Sequence, residues 1–141
     1  MKKLILATMV VAFVASCGGK SKAPRNLDNA CSIVRQQPKI LSAMKKTERK
    51  WNVPVHVQMA IIHQESKFVQ DARTPMKYVL GVLPMGRQSS AYGYAQALDG
   101  TWEEYQKSEG SRRSKRTNIR HATDFMGWYM NQTRDRNGID L

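Results

Sequence analysis

Glu65 is the residue whose setting most clearly indicates chemistry, because it lies where an apolar helical pattern ends and a polar stretch begins. If residues 54–66 form a helix, one face at three- and four-residue spacing carries Gln58, Ile61, Ile62 and Glu65. Partial burial and the negative end of the helix dipole both favour the protonated form of a carboxyl group. We therefore predict that Glu65 is a general acid. The alternative that spacing alone leaves open is a solvated glutamate at a helix C-terminus.

A second segment, at residues 89–98, has the sequence Ser-Ser-Ala-Tyr-Gly-Tyr-Ala-Gln-Ala-Leu. The Glu-Ser-x-Phe element at 65–68 and the Gly-x-x-Gln element at 93–96 are together far more specific than either alone. Together they resemble the lytic transglycosylases of the soluble lytic transglycosylase (lysozyme-like) superfamily, most closely its small lipoprotein members. The resemblance covers residues 51–138. It implies a mainly helical, lysozyme-like domain, with a long loop or small β-arm beside the active-site cleft, that cleaves peptidoglycan glycan strands.

The resemblance also implies roles for single residues. Glu65 matches the catalytic glutamate of the family and Ser66 the serine that follows it. Gly93 and Gln96 match the second motif, in which a Tyr-Ala pair here replaces the more usual Leu-Met.

Substrate contacts are expected from the second motif. Gln96 would hydrogen-bond sugar hydroxyls or N-acetyl groups, and the rings of Tyr92 and Tyr94 would stack on sugars. Core packing is an equal alternative for each tyrosine. The full predicted substrate-binding set is Ser66, Ser90, Tyr92, Gly93, Tyr94 and Gln96.

The reaction that the resemblance implies needs one carboxyl group. Glu65 protonates the oxygen of the β-1,4 bond between N-acetylmuramic acid and N-acetylglucosamine. As a carboxylate it then takes a proton from the muramoyl C6 hydroxyl, which closes on C1 to leave a 1,6-anhydromuramoyl end. Most glycosidases use two carboxylates, and the candidates for a second one are Asp71, Asp99, Glu103 and Glu104. Of these, Asp99 is predicted to cap a helix, and the two glutamates suit its first turn.

Two departures from the family pattern bear on activity. The stretch from Phe68 to Ser90 is longer than the expected connector, so the rim of the cleft is expected to differ. The Tyr-bearing Ala-Tyr-Asn run of the family is not found, and residues 128–131 are not expected to replace it, because they lie too early and on a different apolar pattern. Because this run is not found, we expect either that the sequence is truncated or that the protein is an inactive, degenerate copy of the enzyme.

Other chemistries find less support in the sequence. The histidines do not have the spacing of metal ligands, so neither a metal nor another cofactor is expected. No nucleophile elbow is visible, and Cys31 falls on a predicted scaffold helix. A lysozyme-type hydrolase, whose product contains one more water, and a non-catalytic peptidoglycan-binding lipoprotein are the alternatives that stay open.

The N-terminus has the pattern of an export signal. Lys2 and Lys3 precede an apolar run at 4–14 that is too short to span a bilayer, and Val-Ala-Ser-Cys at 14–17 resembles a bacterial lipobox. We therefore predict a signal peptide at 1–16, a lipid anchor on Cys17, a tether at 17–25 and a transglycosylase domain at 26–141. The predicted location is the periplasmic face of the outer membrane of a Gram-negative bacterium.

The formal net charge is +12, which favours anionic partners such as peptidoglycan with its stem-peptide carboxylates. The export signal argues against nucleic acid, and a monomer is expected. The basic run at 112–116 is a candidate binding patch, although a solvated linker is the more common meaning of such a run.

The remaining patterns predict the elements that position these residues. Asn26 or Asp28 would cap a short helix that ends near Gln36, and Pro38 would open a second helix that ends near Trp51. A loop at 69–91 would contain a short strand or hairpin at 78–83. Asp99 or Thr101 would cap a helix at 102–108, and a last helix would cover 118–134.

Overall fold

A computed structural model describes residues 22–138, so the predicted signal peptide, Cys17 and the start of the tether lie outside the described residues. Within this part of the chain the elements are α1 (Ala30–Gln36), α2 (Pro38–Trp51), α3 (Val55–Ser66), β1 (Met76–Val79), β2 (Leu83–Arg87), α4 (Asp99–Ser108) and α5 (Ile119–Asn137). The prediction of a mainly helical fold with a small β-arm is confirmed.

The starts of α2, α3 and α5 agree with the predictions within one residue, whereas the caps of α1 and α4 differ and α4 begins three residues before the predicted start at 102. The side chain of Asn29 accepts a hydrogen bond from the N–H of Ser32, so Asn29 caps α1 in place of the predicted Asn26 or Asp28. Pro38 opens α2 as predicted, because a proline in the first turn loses no helical hydrogen bond.

The later helices show one further correction. Asp99 lies in the first turn of α4, and the extended residue Leu98 precedes it without a side-chain cap, so the predicted capping by Asp99 or Thr101 is wrong. Asn118 caps α5 by accepting hydrogen bonds from two backbone N–H groups, and Gly138 in the left-handed conformation ends this helix.

The core lies where α2, α4 and α5 pack. Its aromatic cluster consists of Trp102, Tyr105, Phe125 and Trp128, with ring centroids 5.2 to 5.9 Å apart. A Cβ at Gly127 would lie 2.3 Å from the ring of Trp51. The glycine therefore allows the end of α2 to approach α5 closely.

A polar hub ties these three helices together. The carboxylate of Asp124 on α5 accepts hydrogen bonds from Trp51 Nε1 at 2.8 Å, from the Tyr105 hydroxyl at 2.7 Å and from Lys50 Nζ at 3.1 Å. Burial alone would raise the pKa of Asp124, but the three donors outweigh it and lower that pKa. Burial, followed by the bond to Asp124, raises the pKa of Tyr105.

The helix that carries Glu65 is fixed at both of its ends. α3 begins directly after Pro54, and it ends where Lys67 adopts the left-handed conformation with φ of 51°. Its buried face carries Gln58, Ile62 and Ser66. The buried amide of Gln58 donates to the carbonyls of Met44 at 3.0 Å and Val53 at 2.7 Å, which holds α3 against the middle of α2 and against the residues that join the two helices.

The β-arm is an antiparallel hairpin formed by β1 and β2. Met76 lies opposite Arg87, Tyr78 opposite Pro84 and Val79 opposite Leu83, with an irregularity between Met76 and Tyr78. Residues 80–82 connect the two strands. Leu80 and Gly81 both have positive φ, as the central residues of a turn that matches the right-handed twist of the strands, and the N–H of Val82 donates to the carbonyl of Val79 at 3.3 Å. In residues 22–138, no helix combines the length and apolarity needed to cross a membrane.

Candidate active site

A cleft of about 340 Å³ lies between α3, α5 and the turn that precedes α4. This volume is at the lower end of the range of ligand sites. The residues that line it are Ile61, Glu65, Ala95, Gln96, Ala97, Leu98, Thr101, Phe125, Met126, Tyr129 and Met130. The wall is thus mostly apolar, with few polar groups that could orient a ligand.

Glu65 lies on the cleft wall, close to the Gly-Tyr-Ala-Gln turn. Its side chain is exposed, so the expectation that it is partly desolvated is wrong. The buried face of α3 runs through Ile62 and Ser66, whereas Glu65 lies to one side of that face, one turn beyond Ile61. This position directs the carboxylate to the cleft instead of the core.

Gln96 shares the cleft with Glu65 and also builds the turn that holds it there. Its amide nitrogen donates to the carbonyls of Ala72 at 3.0 Å and Gly93 at 2.8 Å. Because both partners can only accept, the orientation of the amide is fixed. The side-chain carbonyl oxygen is the part of the amide that a sugar hydroxyl or an N–H group could approach.

Gly93 allows the backbone of the second motif to turn. Its φ is 82°, and its N–H donates to the carbonyl of Ala72 at 3.0 Å. A Cβ at this position would lie 2.2 Å from the carbonyl oxygen of Arg116. The motif requires glycine because three chain segments meet here without room for a side chain.

We expect the substitution Gly93→Ala to destabilise the protein by at least about 2 kcal/mol, because it combines a left-handed backbone with a clash against backbone atoms. Thermal unfolding of the purified variant measures this effect. Gly100→Ala is the matched control, because nothing lies within 4 Å of the added Cβ in the first turn of α4. Equal melting temperatures of the two variants would contradict the close packing of three chain segments at Gly93.

The ring of Tyr92 contacts cations in the described structure. The guanidinium carbon of Arg73 lies 3.8 Å from the ring centroid, and that of Arg116 lies 5.4 Å from it. Arg116 also pairs with Asp99 at 2.7 Å and donates to the carbonyl of Ala97 at 2.8 Å. Tyr92 therefore joins the base of the hairpin to the second motif, and it does not line the cleft.

The other predicted substrate-binding residues support the cleft without lining it. Tyr94 is 7% exposed and belongs to the core; burial, followed by the charge of Asp71, raises the pKa of its phenol. Ser66 is buried, and its hydroxyl donates to the carbonyl of Ile62 at 3.2 Å. The hydroxyl of Ser90 accepts from the N–H of Asp99 at 3.1 Å, at the start of α4.

Tyr129 is the cleft residue that sequence reasoning missed. The sequence pattern does not predict that residues 128–131 replace the Ala-Tyr-Asn run of the family, yet the structure places Tyr129 on the cleft wall with Glu65. The residue is 51% exposed, and its ring stacks on that of Phe125 with the centroids 6.0 Å apart. The apolar periodicity of α5 is a signal that could have indicated Tyr129, because the apolar face includes Tyr129 and Met130. The periodicity does not show which residues of that face are in the core and which line the cleft.

Among the described residues that line the cleft, Glu65 is the only carboxylic acid. The alternatives lie elsewhere: Asp99 pairs with Arg116, and Glu103 lies beside Gln106, Lys107 and Arg112. Glu104 is exposed on α4, and Asp71 lies near Tyr94. Within residues 22–138, no cluster of His, Cys, Asp and Glu could hold a metal ion.

Comparison with known proteins adds a family to this geometry. No curated protein and no solved structure matches the chain significantly. The family model described as a transglycosylase SLT domain matches residues 5–141, which is nearly the whole chain. At the level of this family the activity is peptidoglycan lysis of the lytic transglycosylase type. Because the match covers well over half of the chain and the described fold is mainly helical, the chain belongs to the transglycosylase SLT domain family, with its lysozyme-like fold.

Proposed function

We propose that this protein is a lytic transglycosylase that cleaves the β-1,4 bond between N-acetylmuramic acid and N-acetylglucosamine and leaves 1,6-anhydromuramoyl ends. Glu65 serves as both general acid and general base. The observation that carries the proposal is the position of Glu65 beside Gln96, as the only carboxylic acid among the described residues that line the cleft.

The number of carboxyl groups favours this reaction over hydrolysis. A retaining or inverting hydrolase needs a second carboxylate about 5 to 10 Å from the first, to act as nucleophile or to activate water. The described lining of the cleft offers none. An intramolecular attack by the C6 hydroxyl needs only one group, which first gives a proton to the leaving oxygen and then accepts one from the hydroxyl.

The apolar wall suits the faces of sugar rings, and the polar groups suit their substituents. Tyr129 presents an exposed ring beside the carboxylate, and the carbonyl oxygen of Gln96 can accept from a hydroxyl or an N-acetyl N–H. Tyr92 and Tyr94 hold the turn in place. In this proposal, therefore, Tyr129 contacts the glycan in place of the two predicted tyrosines.

Products from digested sacculi test the reaction. Mass spectrometry of the released muropeptides is expected to show anhydro ends. Products heavier by one water would identify a lysozyme-type hydrolase. Binding to sacculi without release of fragments would identify a non-catalytic peptidoglycan-binding protein, and either outcome overturns the proposal.

We expect Tyr129→Ala to lower kcat/KM for glycan strands by roughly tenfold, because it removes the exposed ring from the cleft wall. Steady-state release of anhydromuropeptides measures the effect. Tyr129→Phe keeps the stack on Phe125 and should retain most of the activity if the ring face carries the contact. An alanine variant with unchanged kcat/KM would remove Tyr129 from the substrate site.

We also propose that the protein acts on peptidoglycan from the periplasmic face of the outer membrane, with an acylated Cys17 as its anchor and as a monomer. The supporting pattern is the lipobox-like tetrapeptide that follows a short apolar run. The mass of the N-terminal peptide from membrane-purified protein tests the anchor. A peptide that begins at Cys17 and carries acyl chains is the expected result, and an unmodified cysteine would contradict it.

A further inference from the structure

The exposed apolar side chains of this protein are concentrated on the β-hairpin. Among the described residues, large apolar side chains are exposed at eight positions, and two of these, Leu98 and Tyr129, line the cleft. The other six all lie in the hairpin: Tyr78, Val79, Leu80, Val82, Leu83 and Met85. Leu80 and Val82 at the turn are the most exposed, at 86% and 74%. A cluster of this kind marks an interaction surface.

Charge is separated from apolar surface along the length of the hairpin. Its two cations, Lys77 and Arg87, lie at the open end, where Met76 faces Arg87. No acidic residue occurs between Asp71 and Asp99. At a strand rise of about 3.3 Å per residue, Leu80 at the turn lies about 10 Å beyond Lys77 along β1.

We propose that this hairpin inserts its turn into the surface of an anionic phospholipid membrane. Apolar groups that penetrate to the acyl boundary, about 5 to 10 Å deep, with cations at headgroup level, are the usual chemistry of interfacial attachment. The distance from Lys77 to the turn matches the upper end of that depth. The excess of basic over acidic residues, 21 against 11 once residues 1–16 are removed as proposed, favours the same surface.

This attachment goes beyond cleavage of the glycan and differs from an acyl anchor in its effect. An acyl chain on a tether holds the protein near a membrane without fixing its orientation. A hairpin in the headgroup layer would fix the orientation of the protein, because the base of the hairpin is hydrogen-bonded to the segment at 89–98 that contains Gln96. Thr74 donates to the carbonyl of Ser89 at 2.9 Å, and Arg73 pairs with Tyr92 as an isolated bridge.

The test uses the full chain with vesicles of phosphatidylglycerol and brominated phosphatidylcholine. A tryptophan introduced by Leu80→Trp reports on the turn itself, and we expect bromine to quench its added fluorescence. The triple variant Leu80→Ser, Val82→Ser, Leu83→Ser should bind vesicles roughly tenfold more weakly. Leu98→Ser, which removes an exposed leucine outside the hairpin, should bind like the parent.

A charge variant separates this site from general attraction to anionic lipid. Lys77→Glu should weaken binding more than Lys107→Glu, which changes the net charge equally on the exposed side of α4. An unquenched tryptophan at position 80 would overturn the proposal. So would a triple variant that keeps its vesicle affinity but loses self-association in sedimentation or retention on sacculi, since the surface would then bind another copy or the glycan.

Discussion

The variant Glu65→Gln is expected to lose release of anhydromuropeptides by about a thousandfold or more. General acid–base catalysis by one group contributes roughly 10² to 10⁴ in rate, and in the proposed reaction the same carboxyl group acts first as acid and then as base. The amide of glutamine neither donates a proton to the leaving oxygen nor accepts one from the C6 hydroxyl. Digestion of purified sacculi, followed by quantification of anhydro ends, measures the loss.

Two controls make this result specific. Because Glu65 is exposed, its replacement should leave the melting temperature and the affinity for sacculi close to those of the parent. Glu104→Gln removes a glutamate that is also exposed but lies outside the cleft lining, and full activity is expected. If Glu65→Gln retained activity at the level of Glu104→Gln, Glu65 would not be the acid.

The second large effect concerns stability. Asp124→Asn should lower the free energy of unfolding by about 2 to 4 kcal/mol at neutral pH, because one carboxylate satisfies three donors on two other helices. Denaturant unfolding followed by tryptophan fluorescence measures the change. Asp135→Asn is the control, since that side chain is 72% exposed beside Arg134, and its cost should stay within about 0.5 kcal/mol.

The difference between parent and Asp124→Asn should also depend on pH. The pKa of Asp124 is lowered in the folded protein, so its ionised form contributes stability at every pH above the ordinary pKa of aspartate, near 4. That contribution disappears as the pH falls below about 4 towards the folded pKa. The free energies of unfolding of the two proteins should therefore converge in acid and differ at neutral pH. A constant difference down to pH 2 would contradict the stabilising role of the ionised Asp124.

Local chemistry was sufficient to predict the frame of the fold. Prolines 38 and 54 fix the starts of α2 and α3 within one residue, and Asn118 marks the start of α5. The predicted cap at Asp99 is wrong, since Asp99 lies in the first turn of α4 and its carboxylate pairs with Arg116, which is 17 positions away in the sequence. A non-local ion pair of this kind leaves no periodic signal.

The site was predictable only in part, for a related reason. The meeting of Glu65 and Gln96 followed from the resemblance of two motifs, and the structure places both on one cleft. The positions of Tyr92 and Tyr129 depend on which helices pack together: arginines from separate segments reach Tyr92, and α5 carries Tyr129 out of the core to the cleft. Spacing within one element cannot show contacts between elements.

The two donor bonds of Gln96 restrict how this position can vary. With glutamate there, a charged oxygen would face the lone pairs of the Ala72 and Gly93 carbonyls at hydrogen-bonding distance, and repulsion would replace two attractions. The turn would have to open or the new acid would have to hold a proton. The geometry thus disfavours a second negative charge beside Glu65, which suits the proposed mechanism with a single acid.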